Sequence, residues 1–448
     1  MTRRSNIFGR QADHQHRPIA VGGDGCFVID ADGRRYLDAS GGPAVSCLGH
    51  SNERVTRAVA EQLDAIAFPY SGFFTTEVAE ELAARLAAKA PGALDRVFFV
   101  SGGSEAVESA IKLARQYFIE RDQPDRNRLI ARRQSYHGNT LGALAAGGHR
   151  ARRAHYHPLL VDGSHISPCY EYRHRRDDES TADYGQRVAD ELESEIKQVG
   201  PKRVMAFLAE PVVGAALGAV PAVDGYFARI RQICDQYGIL LILDEVMCGM
   251  GRTGHWFASE HDGIAPDIVC LAKGLGAGYQ PLGAMICTNE IHDAIFEGSG
   301  VFVHGHTYQG HPMAAAAGLA VLDELEEEAL VDRAANLGAD FEIKLRERFD
   351  DHPNVGDIRG RGLFWGLEFV ADRSTKEPFP AERAVAARLK DVALGNGLVC
   401  YPTAGTADGI DGDHVILAPP FIISDGEIDL AIALLARSID QTLLPDSR

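Results

Sequence analysis

The chain has 448 residues and a formal charge of −18, so two domains sharing a cleft are expected, and nucleic acid and anionic membranes are excluded as partners. No apolar stretch follows Met1-Thr2-Arg3-Arg4, so neither a signal peptide nor a membrane span is expected. Eight cysteines without a Cys-x-x-Cys pair read as reduced core residues of a cytoplasmic protein.

In chain order, Val28-Ile29-Asp30 and Tyr36-Leu37-Asp38 around Asp32-Gly33 read as a hairpin. From about Glu53 to Leu325, helical and strand patterns alternate, which predicts an α/β fold with a mostly parallel sheet wrapped by helices. The strand Arg96–Val100 runs into Ser101-Gly102-Gly103-Ser104, after which Val107, Ala110, Ile111, Ala114 and Phe118 recur at helical spacing. Strand, glycine pair, serine and helix N-terminus together form an anion site from backbone N–H groups; a simple N-cap accounts for Ser104 equally well. Arg150–Tyr156 and Tyr170–Ser180, rich in Arg, His and Asp, read as a solvated excursion. Arg203–Ala209 leads into Glu210-Pro211, and Gly238–Leu243 leads into Asp244. Glu324–Glu328 starts a long helix into a C-terminal domain that contains the apolar strand Gly362–Val370.

Two strand ends carry the chemistry. Gly238–Leu243 is apolar without alternation, as in a strand buried on both faces, and ligands of such sheets lie outside the carboxyl ends of the strands. Asp244 therefore falls where a ligand would lie. So does Lys273, one of only eight lysines, between the run Ile268–Ala272 and Gly274-Leu275-Gly276-Ala277-Gly278. A lysine in an apolar setting has its pKa pushed down, which frees the amine to form Schiff bases with carbonyl compounds. A carboxylate beside a pyridine nitrogen keeps that nitrogen protonated and makes the ring an electron sink. A surface lysine and a loop-capping aspartate are the plainer readings of each residue alone. Taken with the 101–104 loop, they give the three parts of a pyridoxal phosphate site: phosphate cradle, ring partner and Schiff-base lysine. Gly249-Met250-Gly251-Arg252-Thr253-Gly254 fits a dinucleotide-binding pattern, but it lies several residues past its strand, and Gly263 and Pro266 leave no room for a full helix. His304, His306 and His311 have no carboxylate or cysteine nearby to complete a metal site.

The chain resembles the class III (omega-type) aminotransferases of fold type I over nearly its whole length. The resemblance is carried by Tyr36-Leu37-Asp38, Leu48-Gly49-His50, Ser101–Ala106, Ser135-Tyr136-His137-Gly138, Glu210-Pro211-Val212, Leu243–Val246 with Gly251–Gly254, Leu271–Gly274 and His306–Pro312. It implies a large domain with a mostly parallel seven-stranded sheet over residues 56–325. A smaller α+β domain would come from 1–55 and 326–448. It implies that Lys273 carries the cofactor and shuttles the proton, Asp244 pairs with the ring nitrogen, and Val246 and Tyr136 cover the two ring faces with His137 beside Tyr136. Gly103 and Ser104 would hold the phosphate, Glu210 would lie near the ring hydroxyl, and Thr307 would reach the phosphate of a neighbouring subunit. The active unit would then be a homodimer, or a tetramer of such dimers. The expected reaction moves an amino group from an amine or amino acid, an omega-amino one included, to a small 2-keto acid. Racemisation, aminomutation or decarboxylation on the same scaffold is the alternative, and a non-catalytic binding role a remote one.

Substrate contacts are less legible. Many family members place an arginine before a Gly-Asp-x-Ile stretch to bind the keto-acid carboxylate, but here no arginine occurs between Arg388 and Arg437. Arg359 and Arg361 are the nearest candidates for that charge. Gly41-Gly42-Pro43-Ala44 predicts a smaller or differently shaped pocket wall, and Tyr70, Phe73 and Phe74 are candidates for an aromatic lining or, equally, for the packed core.

Overall fold

A computed structural model describes residues 6–10 and 17–443. The reading of Met1–Arg4 lies outside the described residues. Among those residues no helix is long and apolar enough to cross a membrane. Seven of the eight cysteines are buried, and all are free thiols; burial pushes the Cys47 thiol up to about 11.

The centre of the protein is a seven-stranded sheet. Its strands lie in the order Leu94–Val100, Gly283–Thr288, Ile268–Leu271, Leu240–Asp244, Val204–Ala209, Arg128–Arg132 and Ser164–Ile166. Gly283–Thr288 runs antiparallel to both of its neighbours; the remaining neighbours pair in parallel. All five residues of Leu240–Asp244 are buried. Alternate residues of this strand feed two different cores. Leu240 and Ile242 belong to one core with Ala106, Val107, Ala110 and Leu113 of the helix Gly103–Glu120, whereas Leu241 and Leu243 belong to another with Ile230, Ile233 and Cys234 of the helix Tyr226–Tyr237. A sheet covered on both faces has no use for polar residues in its strands, which is why alternation was absent from the sequence.

The expected hairpin is present as Phe27–Asp30 and Arg35–Asp38, paired antiparallel. Its second strand also pairs in parallel with Leu398–Val399, so the two ends of the chain share one sheet. A separate antiparallel sheet runs Val355–Arg361, Phe364–Phe369, Asp413–Leu417, Tyr401–Ala404.

Two expectations are corrected. Glu324–Glu328 closes the helix Pro312–Glu327, and a new helix, Leu330–Phe349, begins after Ala329, whose φ of 48° breaks the chain direction. Acidic side chains are unfavourable at a helix C-terminus, and here Glu324, Glu326 and Glu327 are offset by Arg54, Arg85 and Lys89 from neighbouring helices. The stretch Tyr170–Ser180 is not simply solvated. Tyr170 is buried, and its hydroxyl donates to Glu368, which also pairs with Arg173 and with Arg359 at 2.6 Å. The sequence run looked like surface because the acid that neutralises it lies almost two hundred residues away.

Candidate active site

At the carboxyl edge of the central sheet a cavity of about 420 Å³ opens, within the range of roughly 300–1,000 Å³ typical of small-molecule sites. Its lining gathers Gly103, Ser104, Tyr136, His137, Glu210, Asp244, Val246 and Lys273, so eight of the nine residues expected from the sequence converge. The ninth, Thr307, is exposed and does not line this cavity. Val45, Val212, Met247, Gly278, Gln280, Pro281 and Leu282 also line it. The sequence signal for Gly278–Leu282 was only their position after the glycine loop.

Asp244 ends its strand beside Cys270, the third residue of the next strand. Its buried carboxylate is held at both oxygens. Oδ1 accepts the Val246 N–H at 3.0 Å, and Oδ2 lies 2.8 Å from His137 Nδ1. The loop-capping role and the ligand-facing role are thus filled by one residue. Lys273 follows the neighbouring strand and has a backbone φ of 48°. A non-glycine residue in this left-handed region costs on the order of 1–3 kcal/mol and marks functional sites more often than others. Burial pushes the Lys273 amine down to about 8, against the opposing pull of Asp244 and Glu210. An amine of that pKa is available as a nucleophile near neutral pH.

On the other flank of the Asp244 strand, Glu210 follows the neighbouring strand Val204–Ala209. Its Oε1 accepts the Tyr136 N–H at 3.1 Å and its Oε2 accepts the Gly214 N–H at 3.0 Å. Burial raises its pKa. The Glu210 side chain therefore fixes the backbone that carries Tyr136. Arg152 lies over the Tyr136 ring, its Cζ 4.2 Å from the centroid. The stretch Arg150–Tyr156 is exposed at five of its seven residues, in keeping with a solvated excursion, while Arg152 is half-buried, because an arginine can lay its guanidinium against an aromatic face.

The phosphate cradle is built from close backbone approaches. The helix Gly103–Glu120 starts one residue before Ser104, with Gly102 as its cap, so Ser104 is not the N-cap. Its hydroxyl instead accepts the Asn139 N–H at 3.1 Å. A Cβ on Gly103 would lie 2.7 Å from Val246 Cγ1, and one on Gly138 would lie 2.8 Å from Ser104 Oγ. These glycines leave room for an anion at a helix N-terminus. With a low-pKa lysine, a fixed carboxylate and an aromatic wall around one cavity, the residues fit pyridoxal phosphate.

The other expected contacts are elsewhere. Arg359 is buried and fully occupied: its guanidinium pairs with Asp357 at 2.8 Å and Glu368 at 2.6 Å and donates to the carbonyls of Gly218 and Leu217. Arg361 faces Asp262 at 3.6 Å and the Ala222 carbonyl. Neither lines the cavity. Tyr70, Phe73 and Phe74 are 53%, 81% and 66% exposed and also stand outside it.

Comparison with known proteins gives the same reading. The family model described as "Aminotransferase class-III" matches residues 8–439. The chain belongs to the class III aminotransferases. These transaminases depend on pyridoxal phosphate. The transaminase is 38% identical over 427 residues to the taurine–pyruvate aminotransferase of Rhodobacter capsulatus, covering 93% of this chain and 91% of the relative. It is 35% identical over 435 residues to the putrescine–pyruvate aminotransferase of Pseudomonas aeruginosa, covering 97% and 92%. In three dimensions it is similar to the omega-transaminase of Pseudomonas jessenii solved in complex with PMP, with a TM-score of 0.91, 32% identity and 98% and 96% of the two chains covered. The transaminase therefore shares the fold type I architecture of its solved relatives.

Proposed function

We propose that this transaminase moves an amino group from a small amine or amino acid to a small 2-keto acid, with Lys273 holding the cofactor. The observation that carries this reading is the convergence of Lys273 and Asp244 at adjacent strand ends, around a cavity whose lysine has a pKa near 8. When bound, pyridoxal phosphate supplies an electron sink for charge developing on the substrate carbon. Lys273 would hold the cofactor, and its Nζ would move a proton at the substrate carbon. Asp244 keeps the ring nitrogen protonated, and His137 keeps Asp244 in place. Tyr136 and Val246 enclose the ring and exclude water. Ser104 and the backbone around Gly103 bind the phosphate. Glu210 holds the Tyr136 backbone and would lie near the ring hydroxyl. Two relatives bear names that specify pyruvate, which supports a small keto acid as acceptor.

The active unit we propose is a homodimer, or a pair of homodimers, in a cytoplasmic protein. Thr307, exposed here, would reach the partner's phosphate site. Exposed Tyr70, Phe73, Phe74, Val301, Val303 and Tyr308 support this, because apolar surface on such a scale calls for a partner. The domain division at 56 and 326 rests on the sheet shared between Arg35–Asp38 and Leu398–Val399.

The test is a half-reaction. The holoenzyme mixed with an amine donor is expected to pass to the amine form of the cofactor without releasing carbon dioxide, and pyruvate or glyoxylate is expected to return it faster than 2-oxoglutarate. Release of carbon dioxide, or inversion of the donor without the amine form, would point to decarboxylation or racemisation. Equal or faster return by 2-oxoglutarate would refute the acceptor preference.

A further inference from the structure

A keto acid brings a carboxylate into a cavity that holds two of its own, Asp244 and Glu210. Among the lining residues the sole cation is Lys273, which the reaction requires for proton transfer. An unpaired carboxylate there would be too costly to bind. Arg359 and Arg361 are committed elsewhere. So is Arg153, which donates to the Ala145 and Gly147 carbonyls and approaches His165.

Arg152 differs from all three. It is half-buried, and its guanidinium makes no hydrogen bond or ion pair with any described residue. Its contact is the ring of Tyr136, itself a wall of the cavity, so Arg152 stands one side chain behind the lining. A contact with a ring spends none of the N–H donors of the guanidinium on a hydrogen bond. A planar fork of this kind matches a carboxylate in two parallel hydrogen bonds. The short helix Arg150–Ala154 that carries it touches the arginine-free loop 405–412. Gln134 Nε2 donates to the Thr406 carbonyl at 2.9 Å, Arg150 reaches the Asp408 carbonyl at 3.5 Å, and Gly409 sits against the Arg150 side chain. The charge of Arg152 also acts on Lys273, in the same direction as burial.

We propose that Arg152, over the Tyr136 ring at the edge of the cavity, binds the substrate carboxylate and selects monocarboxylate keto acids as amino acceptors. The proposal rests on the transaminase reading and adds the residue that recognises the acceptor. One guanidinium serves one carboxylate. A second carboxylate, as in 2-oxoglutarate, meets Asp244 and Glu210 with no further cation.

The experiment uses holoenzyme converted to its amine form and compares pyruvate with propanal, an acceptor of similar size without a carboxylate. Arg152→Leu is expected to lower kcat/KM for pyruvate by between about tenfold and a hundredfold, the scale of losing charged hydrogen bonds, chiefly through KM. The loss with propanal is expected to be about threefold or less. Arg152→Lys is expected to recover part of the pyruvate rate. Calorimetric binding of propionate, an unreactive carboxylate, is expected to weaken by a similar factor in Arg152→Leu. Equal losses with pyruvate and propanal would mean that Arg152 only steadies Tyr136 and would overturn the proposal. Unchanged propionate binding would overturn it as well. A wild type inactive with every amine donor would remove the transaminase reading and the proposal with it.

Discussion

His137 Nδ1 lies 2.8 Å from Asp244 Oδ2, and both side chains are buried. An ionised carboxylate can only accept, so Nδ1 carries the proton and donates. The pair crosses from the loop after Arg128–Arg132 to the end of Leu240–Asp244 and locks a carboxylate that already receives the Val246 N–H. A carboxylate held at both oxygens keeps one orientation, which is what a partner for a ring nitrogen needs.

Replacing that charge tests its use. Asp244→Asn keeps the shape and is expected to lower the rate of amine-donor deamination by about a hundredfold or more. His137→Leu leaves the charge but frees the carboxylate, and a smaller loss of about tenfold is expected. Single-turnover rates read both. An Asp244→Asn rate within about threefold of wild type would make the carboxylate structural.

Lys273 is identified by trapping. Borohydride reduction of the holoenzyme is expected to fix the pyridoxyl group on the peptide containing Lys273, and Lys273→Ala is expected to lose nearly all proton transfer. Recovery of the label on another lysine would remove the assignment.

The depressed pKa of Lys273 has a consequence for the apoprotein. In the folded chain the amine titrates near 8, whereas the ordinary value is 10.5. Between those values the unfolded chain binds a proton that the folded chain has released, so stability from this group rises with pH across that window. Below pH 8 both states are protonated and the full penalty of burying the charge remains. Lys273→Met is therefore expected to stabilise the apoprotein at pH 7 by about 1–3 kcal/mol, with the gain shrinking towards pH 10. Urea midpoints at pH 7 and 9.5 would show it. A gain that is constant with pH would place its origin in packing.

Gly103→Ala inserts a methyl group 2.7 Å from Val246 Cγ1. Since Val246 is itself a wall of the site, the loop must shift, and cofactor affinity is expected to fall by about tenfold or more, the scale of 1.4 kcal/mol per decade. Titration of apoprotein with pyridoxal phosphate, followed by fluorescence, measures this. Unchanged affinity would mean that the cradle tolerates the shift.

Thr307→Ala is expected to weaken cofactor binding by about tenfold, the loss of a hydrogen bond to a charged group, without changing the fold. Sedimentation of the wild type is expected to give a dimer or a tetramer. A fully active monomer would refute a shared site.

The strand ends were readable because buried parallel strands abolish alternation. Once Gly238–Leu243 is recognised as such a strand, Asp244 can only stand at its carboxyl end. Lys273 was readable for the same reason, as a rare lysine after an apolar run. The partner of Asp244 was not, because pairing between residues 137 and 244 depends on which strands become neighbours. Arg150–Tyr156 reads as surface and is largely exposed, but the contact of Arg152 with Tyr136 could not be seen in composition. Arg359 was misread because its acid partner Glu368 sits in an apolar strand that gave no hint of charge. Tyr70, Phe73 and Phe74 carried an aromatic signal but no address.

The antiparallel strand Gly283–Thr288 sits between Leu94–Val100 and Ile268–Leu271, with Gly283 opposite Val100 and a Cβ on it only 2.8 Å from the Gly102 carbonyl. On a ribosome, the first hundred residues must therefore wait for residue 288 to emerge before their last strand gains its neighbour. Until then Leu94–Val100 is an open apolar edge, and contacts of such sequence separation form slowly. A nascent chain cannot preassemble the anion cradle at 101–104 and recruit its cofactor early. Chains released before residue 288 would expose this edge and aggregate, so cofactor loading and completion of the central sheet become a single late event in the life of the polypeptide.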